Sequence, residues 1–257
     1  MTHDDRILAL LKELKPITLD EMSSIKLMNR LDTKYVTTKA KLCQLLELVK
    51  SKYYAQVTNG DIISPYRTTY FDTTDHAMFN QHHSGHCNRK KVRVRTYLSS
   101  GDLTFLEVKN KNNHGRTKKK RVKVGGLDTF RHENGTSDFV ASHALFELDD
   151  LREMVQNEFD RVTLVNYGKT ERLTIDFNVS FHNFETGRQC GTGELVIIEL
   201  KRDGNVYSPI CDLLRDLHIH PSGFSKYCIG TVLTNPDIKH NNFKMRLRYV
   251  SRFVSPV

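Results

Sequence analysis

The sequence predicts an α+β fold, a closed antiparallel β-barrel with helices packed outside it. Three observations lead there. Segments that alternate between polar and apolar residues recur along the chain, joined by short turn-forming connectors. Amphipathic stretches between them carry apolar stripes at helical spacing that need a sheet face to cover. The second parity of the strands is rich in charge, so a sheet clad in helices on its apolar side would enclose a charged interior. About seven to nine strands can be counted, enough to close a barrel in one domain of this size.

Ile7, Leu8, Leu11 and Leu14 give residues 5–14 a helical spacing, and Leu19, Met22 and Ile25 do the same for 18–28. A strand over 28–37 precedes a clearer helix that Thr38 can cap, with Leu42, Leu45, Leu46 and Val49 as its stripe. Strand signals follow at 53–58 and 66–73, and Asp75 reads as the cap of a short helix through His83. Strands at 90–98, 103–111 and 118–124 are separated by SSGD and NNHGRT, so hairpins are the simplest linkage. A helical pattern returns over 138–157, particularly in LDDLREMVQNEF. Strands at 160–167, 171–178 and 194–202 follow, then helices at 208–217, 224–234 and 242–253. No internal repeat or Pro/Gly-rich linker interrupts the pattern, so residues 1–257 read as one domain.

Composition narrows the class. At 38% hydrophobic and 27% charged, the chain has the balance of an ordinary globular protein with a real core. It contains no apolar run of the roughly 18 residues a transmembrane helix needs, and no secretory apolar region at its N-terminus. Five widely spaced cysteines without a CxxC pair argue against a disulfide framework or structural zinc, and point to the cytoplasm. His82, His83, His86 and Cys87 match no standard zinc spacing and read as a polar loop. No Walker A or Rossmann glycine pattern occurs, which excludes P-loop chemistry.

The formal net charge of +9 is concentrated. From His86 to Val124 thirteen Lys or Arg stand against two acids, Asp102 and Glu107, so this segment alone exceeds the total. Such a field suits polyanions: nucleic acid, phosphorylated metabolites or an anionic membrane surface. Parity then sorts the charges. Lys91, Arg93, Arg95 and Tyr97 share one face, as do Phe105, Glu107, Lys109 and Lys111. Arg30, Asp32 and Lys34 oppose Leu31, Thr33 and Tyr35; Arg172, Thr174 and Asp176 oppose Leu173, Ile175 and Phe177; Ile197, Glu199 and Lys201 alternate with Val196, Ile198 and Leu200. A solvated face on a one-sided sheet explains any single strand. Acid and base on one parity across the set is also what a site for phosphate plus a divalent metal requires.

RLDTKYV (30–36), YRTTYFDT (66–73), KVRVRTY (91–97), LEVKNK (106–111), KKKRV (118–122), ERLTIDFNV (171–179), IIELK (197–201) and GFSKY (223–227) occur in that order. Together they resemble the VTC domain, the polyphosphate polymerase domain of the triphosphate tunnel metalloenzyme superfamily, over about residues 25–230. The resemblance implies a closed antiparallel tunnel whose lumen binds triphosphate and a divalent metal, Mn²⁺ or Mg²⁺. It further implies an enzyme of the ATP-polyphosphate phosphotransferase type, which adds the terminal phosphate of ATP to a polyphosphate chain.

By motif position the resemblance makes Arg93, Arg95, Lys109, Arg172 and Lys201 the catalytic cations. Lys34, Lys91, Lys111, Lys120, Arg121, Lys226, Tyr35 and Tyr227 become further phosphate contacts. Glu199 matches the family's metal-binding glutamate, and Glu107 holds the second acidic position. Tyr70 is another tyrosine flanking these motifs. Where the superfamily's first strand often reads ExExK, this chain has Arg30, Asp32 and Lys34, closer to the polymerase branch than to the triphosphatases. Neither an SPX module nor membrane helices accompany the motifs, so a stand-alone, cytoplasmic, bacterial-type member is expected; a membrane-protein partner is not specified. An inorganic or nucleoside triphosphatase is one alternative on the same tunnel, and a non-catalytic polyphosphate- or nucleotide-binding module is another. The tract KNKNNHGRTKKKRVK has few interleaved aromatics to stack on bases, so no nucleic acid is expected.

Overall fold

The structure, a computed structural model, describes residues 1–23, 30–112, 117–204 and 207–256. Helix α1 (His3–Lys12) leads into strand β1 (Lys15–Thr18) and α2 (Leu19–Ser23). Strand β2 (Arg30–Thr38) runs directly into α3 (Lys39–Val49). Next come β3 (Tyr53–Val57), β4 (Ser64–Asp72), α4 (Ala77–His83), β5 (Arg89–Tyr97), β6 (Leu103–Lys111) and β7 (Thr117–Val124). Helix α5 (Thr136–Ala144) precedes two long strands, β8 (Arg152–Asn166) and β9 (Glu171–Asn183). The chain closes with β10 (Gln189–Gly191), β11 (Leu195–Asp203), α6 (Pro209–Asp216), α7 (Lys226–Thr234), α8 (Lys244–Val250) and β12 (Ser255–Pro256).

The strands form one large sheet with the order β12, β10, β9, β8, β4, β5, β6, β7. Strand β11 joins β9 to β2, and β3 joins β8 to β1. The described ladders are antiparallel except β1 with β3. The α+β class with a large antiparallel sheet is therefore observed. Among the described residues the strand order is an open path. No described helix is long and apolar enough to cross a membrane.

By internal contacts the chain divides into two compact units. Unit 1 gathers Met1–Pro65, Phe159–Val179 and Thr192–Phe224; unit 2 gathers Tyr66–Glu158, Ser180–Gly191 and Ser225–Val257.

In unit 1 the helix starts are written in the sequence. Thr2 and Asp5 form a capping box at α1, and the Thr38 hydroxyl accepts from Lys41 N at 3.4 Å to open α3. Ile7, Leu10 and Leu11 of α1 and Leu42, Leu45, Leu46 and Val49 of α3 pack on Leu173, Ile175 and Phe177 of β9 and Val196, Ile198 and Leu200 of β11. Each fully buried leucine there contributes about 1.5–3 kcal/mol. Because one strand parity is spent on this core, Lys34, Arg172, Glu199 and Lys201 lie on the opposite face. The buried carboxylate of Glu171 accepts the hydroxyls of Tyr53 and Ser208.

In unit 2 the apolar parity of β5, β6 and β7 (Val92, Val94, Leu106, Val108, Val124) packs against Phe71, Met78, Phe130, Val140, Leu148 and Leu151. Asp75 does not cap α4. The cap position is His76, and the buried carboxylate of Asp72 serves the helix start, accepting from Met78 N and Phe79 N at 2.8 Å each. Residues 152–157 are strand, not helix: the helical spacing expected through 138–157 ends with Ala144, and β8 begins at Arg152. Two short strands, β10 and β12, carry no two-residue alternation long enough to read. Of the helix expected over 18–28, residues 24–28 lie outside the described residues, as do 113–116 of the NNHGRT connector.

Candidate functional site

Each unit carries one charged strand face. In unit 2 the register of β4 to β7 arranges its side chains in rows, because directly opposed residues in an antiparallel pair share a face. One row runs Tyr70, Arg93, Glu107, Arg121; the next Lys91, Lys109, Lys119; the third Thr68, Arg95, Phe105, Lys123. Arg89 and Lys111 pair at the far end. On β5 to β7 this face holds nine Lys or Arg (89, 91, 93, 95, 109, 111, 119, 121, 123) and a single acid, Glu107.

Glu107 is fully buried. Its Oε2 accepts from Arg93 Nε at 2.8 Å and Nη2 at 2.5 Å, while Oε1 accepts from Lys119 Nζ at 2.8 Å. Burial alone would raise its pKa, but the charges of Arg93 and Arg95 and the Lys119 bond outweigh it and hold the carboxyl below its ordinary range. Arg95 donates from Nε to the Thr68 hydroxyl at 3.0 Å and lies over the Tyr66 ring at 5.5 Å. The Arg121 guanidinium sits 4.5 Å from the Phe105 ring centroid. Arg93 and Arg95 are 8% and 7% exposed, so these are not solvated surface arginines.

The start of α7 belongs to the same unit. Ser225 caps the helix, accepting from Cys228 N at 3.4 Å, and its hydroxyl also accepts from Lys91 Nζ at 2.9 Å. Lys226 is the first helical residue. Tyr227 is buried, donates to Asp72 Oδ2 at 2.5 Å and stacks on Tyr70 with ring centroids 5.3 Å apart. Burial, then the Asp72 charge, pushes the Tyr227 phenol well above its ordinary pKa, so it stays a neutral donor. Tyr70 differs. Burial acts upward on it, yet Arg93, Arg95, Lys91 and Lys226 bring it down to about 8.

In unit 1 the rows are Lys34, Glu199, Thr174 and Asp32, Lys201, Arg172. Glu199 Oε2 lies 2.8 Å from Lys201 Nζ and Oε1 3.9 Å from Lys34 Nζ, with the glutamate side chain 22% exposed. Lys34 also donates to the Phe224 carbonyl at 2.9 Å. Burial draws the Lys201 pKa down, against the pull of Glu199. Arg161, which sequence reading did not select, clamps Asp176 through two bonds of 2.6 and 2.7 Å. The loss of parity at Asp160–Arg161, where both are half-buried, hid it.

The structure thus gathers Lys91, Arg93, Arg95, Lys109, Lys111, Arg121 and Lys226 in unit 2, and Lys34, Arg172, Glu199 and Lys201 in unit 1. Three residues fall elsewhere. Lys120 stands opposite Val108, on the apolar parity of β7, and Lys119 takes the place expected for it. Tyr35 is a core residue of unit 1 on the face away from Lys34, its hydroxyl 3.8 Å from Cys211 Sγ. Tyr227 points to Asp72.

Among the described residues no three His, Cys, Asp or Glu side chains gather as a metal cage. Glu107 is already neutralised by Arg93 and Lys119, which does not fit a metal ligand. Glu199 fits better: although Lys201 and Lys34 lie beside it, its side chain is 22% exposed where that of Glu107 is fully buried, and beside it in register the Thr174 hydroxyl is buried without a hydrogen-bond partner. One carboxylate and one hydroxyl suit Mg²⁺ or Mn²⁺ held largely by substrate phosphates and water.

A model of the VTC domain matches residues 29–235. No curated protein matches the chain. Among solved structures the chain is similar to a Bacillus halodurans protein assigned as an adenylate cyclase, at 13% identity and a TM-score of 0.51, covering 77% of this chain and 96% of that one. It is also similar to the adenylyl cyclase candidate HpAC1 of Hippeastrum, described as having a dominant triphosphatase activity. That likeness has 12% identity and a TM-score of 0.54, covering 82% of this chain and all of the other. At such identities the two structures speak for the fold.

Proposed function

The chain belongs to the VTC domain family, and from that premise we propose that it catalyses metal-dependent phosphoryl transfer from ATP to a growing inorganic polyphosphate chain. The observation that carries the reading is the lattice on β5 to β7, nine cations around one saturated carboxylate on a single face. The tunnel implied by the sequence motifs is part of the same proposal.

Phosphoryl transfer asks the protein mainly to position phosphates and neutralise their charge. Arg93 and Arg95 are suited to bind phosphate oxygens in their planar forks, pre-aimed by Glu107 and Thr68. Lys91, Lys109 and Lys226 add point charges on the same unit. In unit 1, Lys34, Arg172 and Lys201 hold phosphate oxygens beside Glu199. Glu199 with Thr174 would hold the divalent cation, which when bound supplies charge neutralisation at the transferring phosphate.

The test is incubation of the pure protein with ATP and Mn²⁺ or Mg²⁺, with products resolved by gel and anion-exchange chromatography. Long phosphate chains with ADP support the polymerase. Orthophosphate with ADP moves the protein to triphosphatase chemistry, the second reading, favoured by the activity described for the similar Hippeastrum protein. Triphosphate binding without turnover would sink the enzyme reading and leave a polyphosphate-binding module.

A further inference from the structure

The unit 2 cluster contains a hydroxyl whose proton has nowhere to go. Tyr70 is 6% exposed and stands in register with Arg93. Its oxygen accepts from Arg93 Nη1 at 3.5 Å, and no acceptor for its own O–H is found among the described residues. The charged groups facing it are Lys91, Arg93 and Arg95 from β5 and Lys226 from α7, which can only donate. Glu107 on β6, the acid of that row, is saturated by Arg93 and Lys119. Asp72, two residues on in β4, spends its oxygens on α4 and on Tyr227. Tyr227, stacked on the Tyr70 ring, points its own hydroxyl at Asp72. A buried hydroxyl lacking an acceptor is costly, and cations on every side call for an anion to supply one.

We propose that Tyr70 is a phosphate ligand of this cluster, its hydroxyl donating to an oxygen of the bound triphosphate or polyphosphate. The inference rests on the phosphate reading of the site and adds a neutral donor to the cations. It carries a pH signature. In the unliganded protein the phenol ionises near pH 8, its negative charge serving the cations in place of phosphate. Phosphate can use the donor only when the proton is present, so above that pH binding must take up one proton.

Two measurements on the full chain test this. Triphosphate affinity is followed by calorimetry for the wild type and Tyr70→Phe between about pH 6 and pH 10, the variant setting the baseline for triphosphate's own protonation. Tyrosinate absorbance is titrated with and without saturating triphosphate, and thermal unfolding checks that the variant folds. Below pH 8 the variant should bind about tenfold more weakly, and the difference should close as pH rises above it. One tyrosinate signal should rise near pH 8, vanish in Tyr70→Phe and move upward with triphosphate. Wild-type binding with an unchanged variant, or a tyrosinate titration indifferent to triphosphate, overturns the Tyr70 assignment alone. No wild-type binding at any pH overturns the phosphate reading and this inference with it.

Discussion

At Glu107 one carboxylate answers cations from the strands on either side of it, Arg93 from β5 and Lys119 from β7. Removing a single partner of such a buried group leaves the others uncompensated, so Glu107→Gln is expected to cost about 3–5 kcal/mol in chemical denaturation. The pH dependence has a definite sign. A carboxyl held below its ordinary value of 4.5 contributes stability that is full above that value and is lost as pH falls beneath it. The wild type should lose stability below about pH 4.5, and Glu107→Gln should lose less over the same window. The same geometry makes Arg95→Ala a cleaner probe of triphosphate binding than Arg93→Ala, which would strand Glu107. Next to it, Lys119→Ala should cost more than Lys120→Ala, whose effect should stay within about 0.5 kcal/mol. That distinction was readable beforehand. Val122 and Val124 mark the apolar parity of β7, which puts 118 and 120 with them and 119, 121 and 123 on the charged face. The uniform tract KKKR hid the alternation only locally. Tyr35 shows the same lesson, since it shares parity with Leu31 and Thr33 and not with Lys34.

Among elements, β8 and α7 show where sequence and structure part. Leu148, Leu151, Met154 and Val155 repeat at helical spacing, but Val155, Asn157 and Phe159 also alternate, and the buried alternation is the one the sheet uses. Pairing across a sheet is a long-range fact that a local period does not encode. Helix α7 was legible, and what fixes it was not. Gly230 lies so close to Phe181 of β9 that a Cβ there would stand 2.3 Å from the ring. Gly230→Ala should therefore destabilise by more than 1 kcal/mol despite its gain in helix propensity, read as a fall in Tm. An unchanged Tm would mean that α7 does not rest on Phe181. Asp72 ties the same helix to α4, accepting from Met78 N, Phe79 N and the Tyr227 hydroxyl. Asp72→Asn should cost about 1–3 kcal/mol and weaken triphosphate binding through the displaced start of α7, where Lys226 sits.

For the molecule as a whole, three of the five passages of the chain between the units fall inside strands: β4, after Pro65, β8, after Glu158, and β9, after Val179. Composition marks no boundary at such points, because a strand continues through each. The charge distribution was fully legible: the segment from His86 to Val124, with thirteen Lys or Arg against two acids, falls entirely in unit 2. Most of those cations share one face of three adjacent strands, so they repel one another at short range whenever no polyanion is bound. Salt and triphosphate should relieve the same repulsion by different routes. Added NaCl screens it directly, so the Tm of the unliganded protein should rise from low ionic strength to about 0.5 M, where the screening length has fallen below the spacing between rows. Triphosphate relieves it by binding, and that binding weakens as salt competes for the cations. The Tm increment from a fixed triphosphate concentration should therefore shrink along the very series in which the baseline rises. A thermal-shift grid of salt against triphosphate reads both trends at once. A salt-independent baseline would mean that the lattice is internally compensated, and an increment that survives at high salt would place triphosphate binding on groups other than these cations.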